Sequence, residues 1–390
     1  MKCSSLTPIS LSIQPTYHGG PAWLANKLGY FKEVCLDATL AVYTSGAPQV
    51  NEISKWSVGS AGSSPNIQGW TQGILKTVGI NNDESATNAL VANADGIASW
   101  AGILAAGTLG DTKITVSPNS TGELVVEECL KKYNVSFDPV VNFDYNSIQV
   151  DILSSLSDPN GNDFGSLWAP TLYSAVETWG PESVICNGVD AGANLIGGIM
   201  VSNEADEEDT ESAALAIAAY LKGIEYFKRN PEQAKAYLNE FYVEQGFPPL
   251  SPEALDLEFS RPLYNLQEQL DMLAKNEDSV STLGSYFQET VDSMFGSGII
   301  PFRLYAEIYT DDRYMKWIAA NEALFEWTMT LEESAPISPG DKDAPIPLDP
   351  TPEAATPRLL TVEDPPSSGN YQRMAVPIGF VVAIFYYMFM

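Results

Sequence analysis

The sequence predicts an α/β fold with largely parallel sheets, and three observations carry that prediction. Short runs of alternating or β-branched residues recur through the first third of the chain. Stretches whose apolar residues recur at helical spacing follow them. From Pro231 to Phe295 the helical period is almost unbroken. The chain has 390 residues, 45% of them hydrophobic and 18% charged, which is enough for two domains and a sizeable core.

In chain order, Ile9 to Gln14 (ISLSIQ) alternates as a half-buried strand does. Pro21 suits a first helical position, where its missing N–H is no loss, and Gly29 closes that helix. Trp23, Leu24 and Leu28 in this helix read as core. Ala38 to Tyr43, Ile74 to Ile80 and Lys113 to Ser117 are further strands. Pro65 in SAGSSPN suits the first position of another helix, and Glu123 to Tyr133, Thr171 to Glu177 and Glu211 to Phe227 continue the helical series. The acidic run Glu204 to Glu211 reads as a solvated helix start, where the macrodipole favours negative charge.

Beyond Leu331 the texture changes. Residues 332–373 are dense in proline and acid, a composition that cannot build a packed core, and predict a disordered, extended stalk. Met374 to Met390 carries no charge; as a helix at about 1.5 Å per residue it reaches roughly 25 Å, so it is expected to be a transmembrane anchor. The small residues Ser367, Ser368 and Gly369 keep a GPI-attachment signal open as the competing reading. The opening MKCSSLTPISLSIQ shows no apolar signal-peptide core.

Charge excludes whole classes of partner. Twenty Lys+Arg stand against 50 Asp+Glu, a formal net charge of −30, which repels nucleic acid and anionic membrane surfaces. One small anion can still be held by local backbone N–H groups. The four cysteines (Cys3, Cys35, Cys129, Cys186) form no CxxC pair and His18 is the single histidine, so neither a metal site nor a cofactor is expected. Spacing alone does not say whether the cysteines pair.

The succession YHGGPAWLANKLGYFKE, ATLAVYTSGAPQVNEISKWSVGSAGSSPN, ILKTVGINNDES, LGDTKITVSPNSTGELVVEECLKKYNV and GSLWAPTLYSAVE, with VICNGVDAGANLIGGIMVS and AAYLKGIEYFKRNPEQAKAYL later, resembles the SsuA/TauA and NMT1/THI5-like family. The resemblance covers about Pro8 to Ile318. It implies a two-lobed type II periplasmic-binding-protein fold, the solute receptors of ABC importers, with lobe 1 over residues 6–91 and 197–331 and lobe 2 over 92–196. It further implies a small-molecule ligand in the interlobe cleft, an ABC-type permease as partner, and hinge closure on binding.

On that fold SAGSSPN opens a helix towards the cleft, where Ser63, Ser64 and the backbone of Asn66 offer donors to an anion. SPNSTGE opens a second helix in lobe 2, offering Ser120, Thr121 and Gly122. Both segments also serve as ordinary caps. Trp168 in LWAP reads as an apolar wall over the ligand or as interlobe core. Asp190 reads as the partner of a ligand amine, or as a hinge or capping residue. Gln14, Asn82 and Asp83 stand at strand ends, where ligands collect in α/β sheets. Tyr17, His18 and Gly19 lie in the loop that the fold places at the cleft mouth, with His18 a hydrogen-bond donor. Asn119 and Asn134 both start N-glycosylation sequons, and Asn134 is the surface acceptor if the chain is secreted.

Together these features predict a membrane-tethered solute-binding protein for a sulfonate- or taurine-like compound, its binding domain extracellular or periplasmic. A surface sensor that kept the fold without transport is the alternative. An enzyme of the thiamine-pyrimidine-synthase type is a third reading, but its chemistry needs a cysteine-rich motif that this chain lacks.

Overall fold

In the computed structural model, residue 3 and residues 5–331 are described. The expected stalk at 332–373 and the anchor at 374–390 lie outside the described residues. Among the described residues no helix is long and apolar enough to cross a membrane.

The strands are β1 (Thr7–Ile13), β2 (Leu36–Val42), β3 (Val58–Ala61), β4 (Leu75–Asp83), β5 (Asn88–Ala92), β6 (Ile114–Val116), β7 (Phe143–Tyr145), β8 (Phe164–Trp168), β9 (Val184–Asn187) and β10 (Ile196–Ser202). They form two five-stranded sheets, in the orders β2-β1-β3-β10-β4 and β7-β6-β8-β5-β9. β1 runs parallel to β2 and β3, and β6 runs parallel to β7 and β8. The strand set antiparallel in each sheet is the one reached by crossing over from the other: β10 lies against β3 and β4, and β5 against β8 and β9. The sheets are therefore mixed, with the parallel pairs expected from the strand–helix alternation. The chain crosses between Asp83 and Asn88 and returns between Asn187 and Ile196, so β5 belongs to the second sheet although sequence analysis drew the boundary at 91/92.

Burial explains why the strands read as they do. β1 alternates at its start and is buried on both faces at its end, where helices cover the sheet on either side. The 20-residue helix Thr210–Arg229 buries Ala213, Ile217, Leu221 and Ile224 within lobe 1. The first predicted helix forms over Gly20–Leu28 and ends at Gly29, whose φ of 82° is the left-handed conformation glycine adopts without strain. A smaller cluster around Val91, Ile152, Leu167 and Leu172 fills the other face of the second sheet.

Two expectations change in detail. The helix marked by Pro65 starts earlier, at Ser63 with Gly62 as N-cap, because proline is tolerated throughout a first turn whose N–H groups lack intrahelical partners. The acidic run is not wholly solvated. Asp206 is buried, accepts from Lys76 Nζ (2.6 Å), Arg313 Nη2 (2.9 Å) and Tyr314 Oη (2.7 Å), and these donors overcome the effect of burial to hold its carboxyl below the usual range. The cysteines pair as Cys3–Cys35 and Cys129–Cys186.

Candidate functional site

The carboxyl ends of β1 and β3 in the first sheet, and of β6 and β8 in the second, carry the loops that meet between the lobes. Parallel strands put such ends on one side, which is where α/β sheets collect ligands. After β3, Gly62 opens the helix Ser63–Gln72; after β6, Ser120 caps the helix Thr121–Lys132. The two N-termini face each other closely. A methyl group built on Gly62 would lie 2.5 Å from Thr121 Oγ1 and 2.6 Å from Glu84 Oε2, so any side chain there would have to displace these groups. One built on Gly122 would lie 2.4 Å from Ser166 Oγ and 3.2 Å from the Trp168 ring. Gln68 Nε2 of the first lobe donates to the Asn119 carbonyl of the second at 2.9 Å.

Among the described residues, both lobes hold buried polar atoms without a hydrogen-bond partner in the protein; Ser63 and Ser64 follow Gly62, and Ser166 lies beside Gly122. From lobe 1 come the hydroxyls of Thr16, Ser45, Ser63 and Ser64 and both side-chain atoms of Asn82. From lobe 2 come the hydroxyls of Ser117, Ser166, Thr171 and Tyr173. Thr171 begins the helix Thr171–Trp179, whose N-cap Pro170 has no side chain to bond it. A buried polar atom without a partner costs about 1–3 kcal/mol, so each such group calls for an acceptor or donor from outside the protein.

Beside them sits a buried titratable pair. His18 Nδ1 and Ser60 Oγ are 2.8 Å apart, and His18 Nε2 lies 3.5 Å from Glu84 Oε1. Burial, with the positive charge of Arg261 adding to it, pushes the His18 imidazole down to about 3. Burial pushes the Glu84 carboxyl up to about 7 against the opposing pull of Arg261. Both shifts favour the uncharged form of the group concerned. Arg261 is itself buried; Nη1 donates to Thr87 Oγ1 in the crossing segment at 3.0 Å, Nη2 donates to Glu258, and Nε has no partner.

The residues singled out from sequence divide. Ser63, Ser64, Thr121 and Gly122 lie together here, with Trp168 half-buried against Gly122, and Asn82 is buried with both side-chain atoms unpartnered. His18 and Tyr17 are also buried; Tyr17 packs on Phe259 and under the Arg261 guanidinium at 4.7 Å. Others are occupied by the fold. Ser120 Oγ accepts from Glu123 N as an N-cap. Gly19 is held by steric need, since a methyl group there would lie 2.0 Å from the Gln14 carbonyl. Gln14 donates to Gln49 at 2.8 Å, and the Asn66 backbone N–H, offered to an anion from the sequence, donates to the Gly62 carbonyl at 3.4 Å while its side-chain amide bonds Gly62, Ala61 and Thr77. Asp83 closes a turn onto Ser85 N. Asp190 is exposed and completes a capping box with Asn187, away from the convergent groups.

Sequence analysis did not single out Glu84, Arg261, Ser117, Ser166, Thr171 or Tyr173. Glu84 adjoins Asn82-Asp83, and a lone arginine amid aromatics in a chain so poor in basic residues was a readable signal. The four hydroxyls gave none, since serine and threonine are as common in caps and turns.

No family model and no curated protein matches the sequence. Solved structures do match. The alkanesulfonate-binding protein SsuA from Xanthomonas axonopodis, bound to MOPS, shares 14% identity at a TM-score of 0.59, covering 79% of this chain and 99% of that one. The periplasmic aliphatic sulphonate binding protein SsuA from Escherichia coli shares 14% identity at 0.56, covering 79% and 92%. The periplasmic nitrate-binding protein NrtA from Synechocystis shares 9% identity at 0.62, covering 85% and 92%. At such identities the likeness speaks for architecture, and it agrees with the two mixed sheets and their paired crossings: the chain has the two-lobed fold of the periplasmic substrate-binding proteins.

Proposed function

We propose that this chain is a solute-binding protein of the SsuA/TauA and NMT1/THI5-like group that captures a small anionic or zwitterionic compound, sulfonate- or taurine-like, between its lobes. The observation that carries the reading is the close approach of the N-termini of Ser63–Gln72 and Thr121–Lys132 from the two lobes, with the unpartnered hydroxyls of Ser63, Ser64 and Ser166 beside them. Such groups suit the oxygens of a sulfonate or a related acid, since backbone N–H dipoles and hydroxyl donors hold an anion without a paired cation. Glu84, rather than the exposed Asp190, is the acid positioned to meet a ligand amine. The solved structures that this chain resembles include binders of sulfonates and nitrate, which supports the ligand class.

Two disulfides support a domain that works outside the reducing cytosol. In this reading residues 374–390 tether the domain through the stalk, and an ABC-type permease takes the solute onward. The test is calorimetric titration and thermal denaturation of the full chain with taurine, ethanesulfonate and nitrate. A ligand that binds the folded state alone at a hundredfold excess over its Kd adds about 2.7 kcal/mol of stability. A saturable shift with at least one of them, lost in Asn82→Leu, is the expected result; no heat and no shift across the panel would overturn the reading.

A further inference from the structure

We propose that Asn134 carries an N-linked glycan and that Asn119, which opens the only other acceptor motif in the sequence, does not. The two motifs, Asn119-Ser120-Thr121 and Asn134-Val135-Ser136, bracket the helix Thr121–Lys132. At about 1.5 Å per residue that helix sets them roughly 20 Å apart, one at the seam between the lobes and the other at the far end. Both asparagines are exposed, so exposure alone does not choose between them. Their surroundings do. The Asn119 carbonyl accepts from Gln68 Nε2 of the first lobe at 2.9 Å, its N–H donates to Glu123 Oε2 at 2.6 Å, and Thr121 of its motif is buried against Gly62. A bulky oligosaccharide rooted there would stand between surfaces that touch.

Asn134 occupies a turn with a φ of 54°, in the left-handed region that asparagine tolerates. Backbone bonds pin the turn: Asn134 N–H donates to the Lys131 carbonyl at 3.0 Å, Val135 N–H to Leu130 at 2.9 Å and Ser136 N–H to Gly107 at 2.9 Å, with Val135 buried as the anchor. These bonds hold the turn without the Asn134 amide, so a substituent on Nδ2 leaves them intact. Just upstream, Cys129 pairs with Cys186, a bond that forms in the oxidising compartments through which exported chains pass and on whose route such motifs are read. In the transfer, Asn134 Nδ2 attacks C1 of an oligosaccharide carried on a lipid diphosphate. The C1–N bond forms, the C1–O bond breaks, the amide gives up a proton and the lipid diphosphate leaves with the electron pair. The neighbouring surface gives the glycan a physical role. Gly107, whose carbonyl also accepts from Ser136 Oγ at 3.1 Å, ends the helix Ala94–Ala106, in which Asp95 is the only charge and Ala98, Ala101, Leu104 and Ala105 are exposed. A hydrated sugar chain rooted at the end of that helix shields apolar surface from self-association.

The test uses the full chain isolated from the cells that naturally make it. Peptide-N-glycosidase cleaves the glycan and leaves aspartate behind, so digestion in heavy-oxygen water marks each former acceptor in peptide mass spectrometry, and masses read before digestion include any glycan the enzyme leaves in place. The expected result is a glycan at position 134 and none at 119; an unmodified position 134, or a glycan at 119, would overturn the assignment. Made in the same cells, Asn134→Gly, which suits the left-handed backbone, should lose the glycan completely, while Ser136→Thr, which keeps the motif, and Asn119→Gln should retain it. The melting temperature of each variant confirms that it is folded. A glycan that persists in Asn134→Gly or disappears in Asn119→Gln would equally count against the assignment. Sedimentation at matched concentration should show Asn134→Gly associating more than its parent, and equal association would overturn the shielding role.

Discussion

Replacing Glu84 by glutamine should stabilise the protein, and by an amount that depends on pH. The carboxyl titrates at about 7 in the folded chain against an ordinary 4.5, chiefly through burial. Its raised value means that the folded state holds the proton more tightly, so stability falls as pH rises from the unfolded value to the folded one and is level above it. At about 1.4 kcal/mol for each tenfold change in proton affinity, the ionised acid costs the fold about 3 kcal/mol at pH 8 and under about 1 kcal/mol at pH 5. Glutamine has the shape of the protonated acid and never ionises. The His18 imidazole works in the opposite sense, its depressed value costing stability as pH falls below about 6.5, but it is present in both proteins and drops out of the difference. Urea unfolding followed by tryptophan fluorescence at pH 5 and pH 8 should show Glu84→Gln gaining about 2–3 kcal/mol on its parent between the two conditions. A difference that stays flat with pH, or one that shrinks towards pH 8, would refute the argument that burial governs this carboxyl.

Three further outcomes follow from features described above. Asn82→Leu removes two buried polar atoms that have no partner in the protein, so it should raise stability by about 1–3 kcal/mol in chemical denaturation while abolishing the ligand response. Asp206→Asn should weaken the fold by about 2–4 kcal/mol at pH 7, because it leaves Lys76 and Arg313 without their shared carboxylate. That loss should fade as acid protonates the parent's Asp206 and vanish below its depressed value, a profile that thermal melts from pH 7 to pH 3 would trace. Opening Cys129–Cys186, which closes a separation of 57 residues, should cost about 4 kcal/mol, read as the fall in melting temperature of Cys129→Ser/Cys186→Ser.

The sequence made the architecture readable because periodicity reports burial. The alternation in ISLSIQ marked a strand, although Ser12 and Gln14 are buried with its apolar residues, and the helical period of ESAALAIAAYLKGIEYF marked the helix Thr210–Arg229. Caps were readable for the same local reason: Gly29 and Ser120 act within one turn of the chain, and both stand where expected. The site was readable where it coincides with such local signals, at Ser63, Ser64, Thr121 and Gly122. Its remaining members come from places far apart in sequence, such as Glu84, Ser166, Tyr173 and Arg261, and nothing local distinguishes a serine that caps from one that waits unpartnered at a cleft. Asp190 shows the reverse error, a conspicuous acid among small residues whose charge is consumed by its own helix turn. Cysteine pairing was likewise set by three-dimensional proximity, which spacing does not encode.

The Cys129–Cys186 bridge has a mechanical consequence. It rivets the far end of the helix Thr121–Lys132 to β9, and Lys132 adds a bond to the Asp190 carbonyl just beyond that strand. The helix, β9 and the short turn after it thus move as one stiff arm. Bending freedom on the return side is left to the few residues between Asp190 and Ile196, and the outward side has only the stretch between Asp83 and Asn88. The helix that begins at Thr121, facing Gly62 of the first lobe, is thus fastened at its other end to the strand that returns the chain to that lobe.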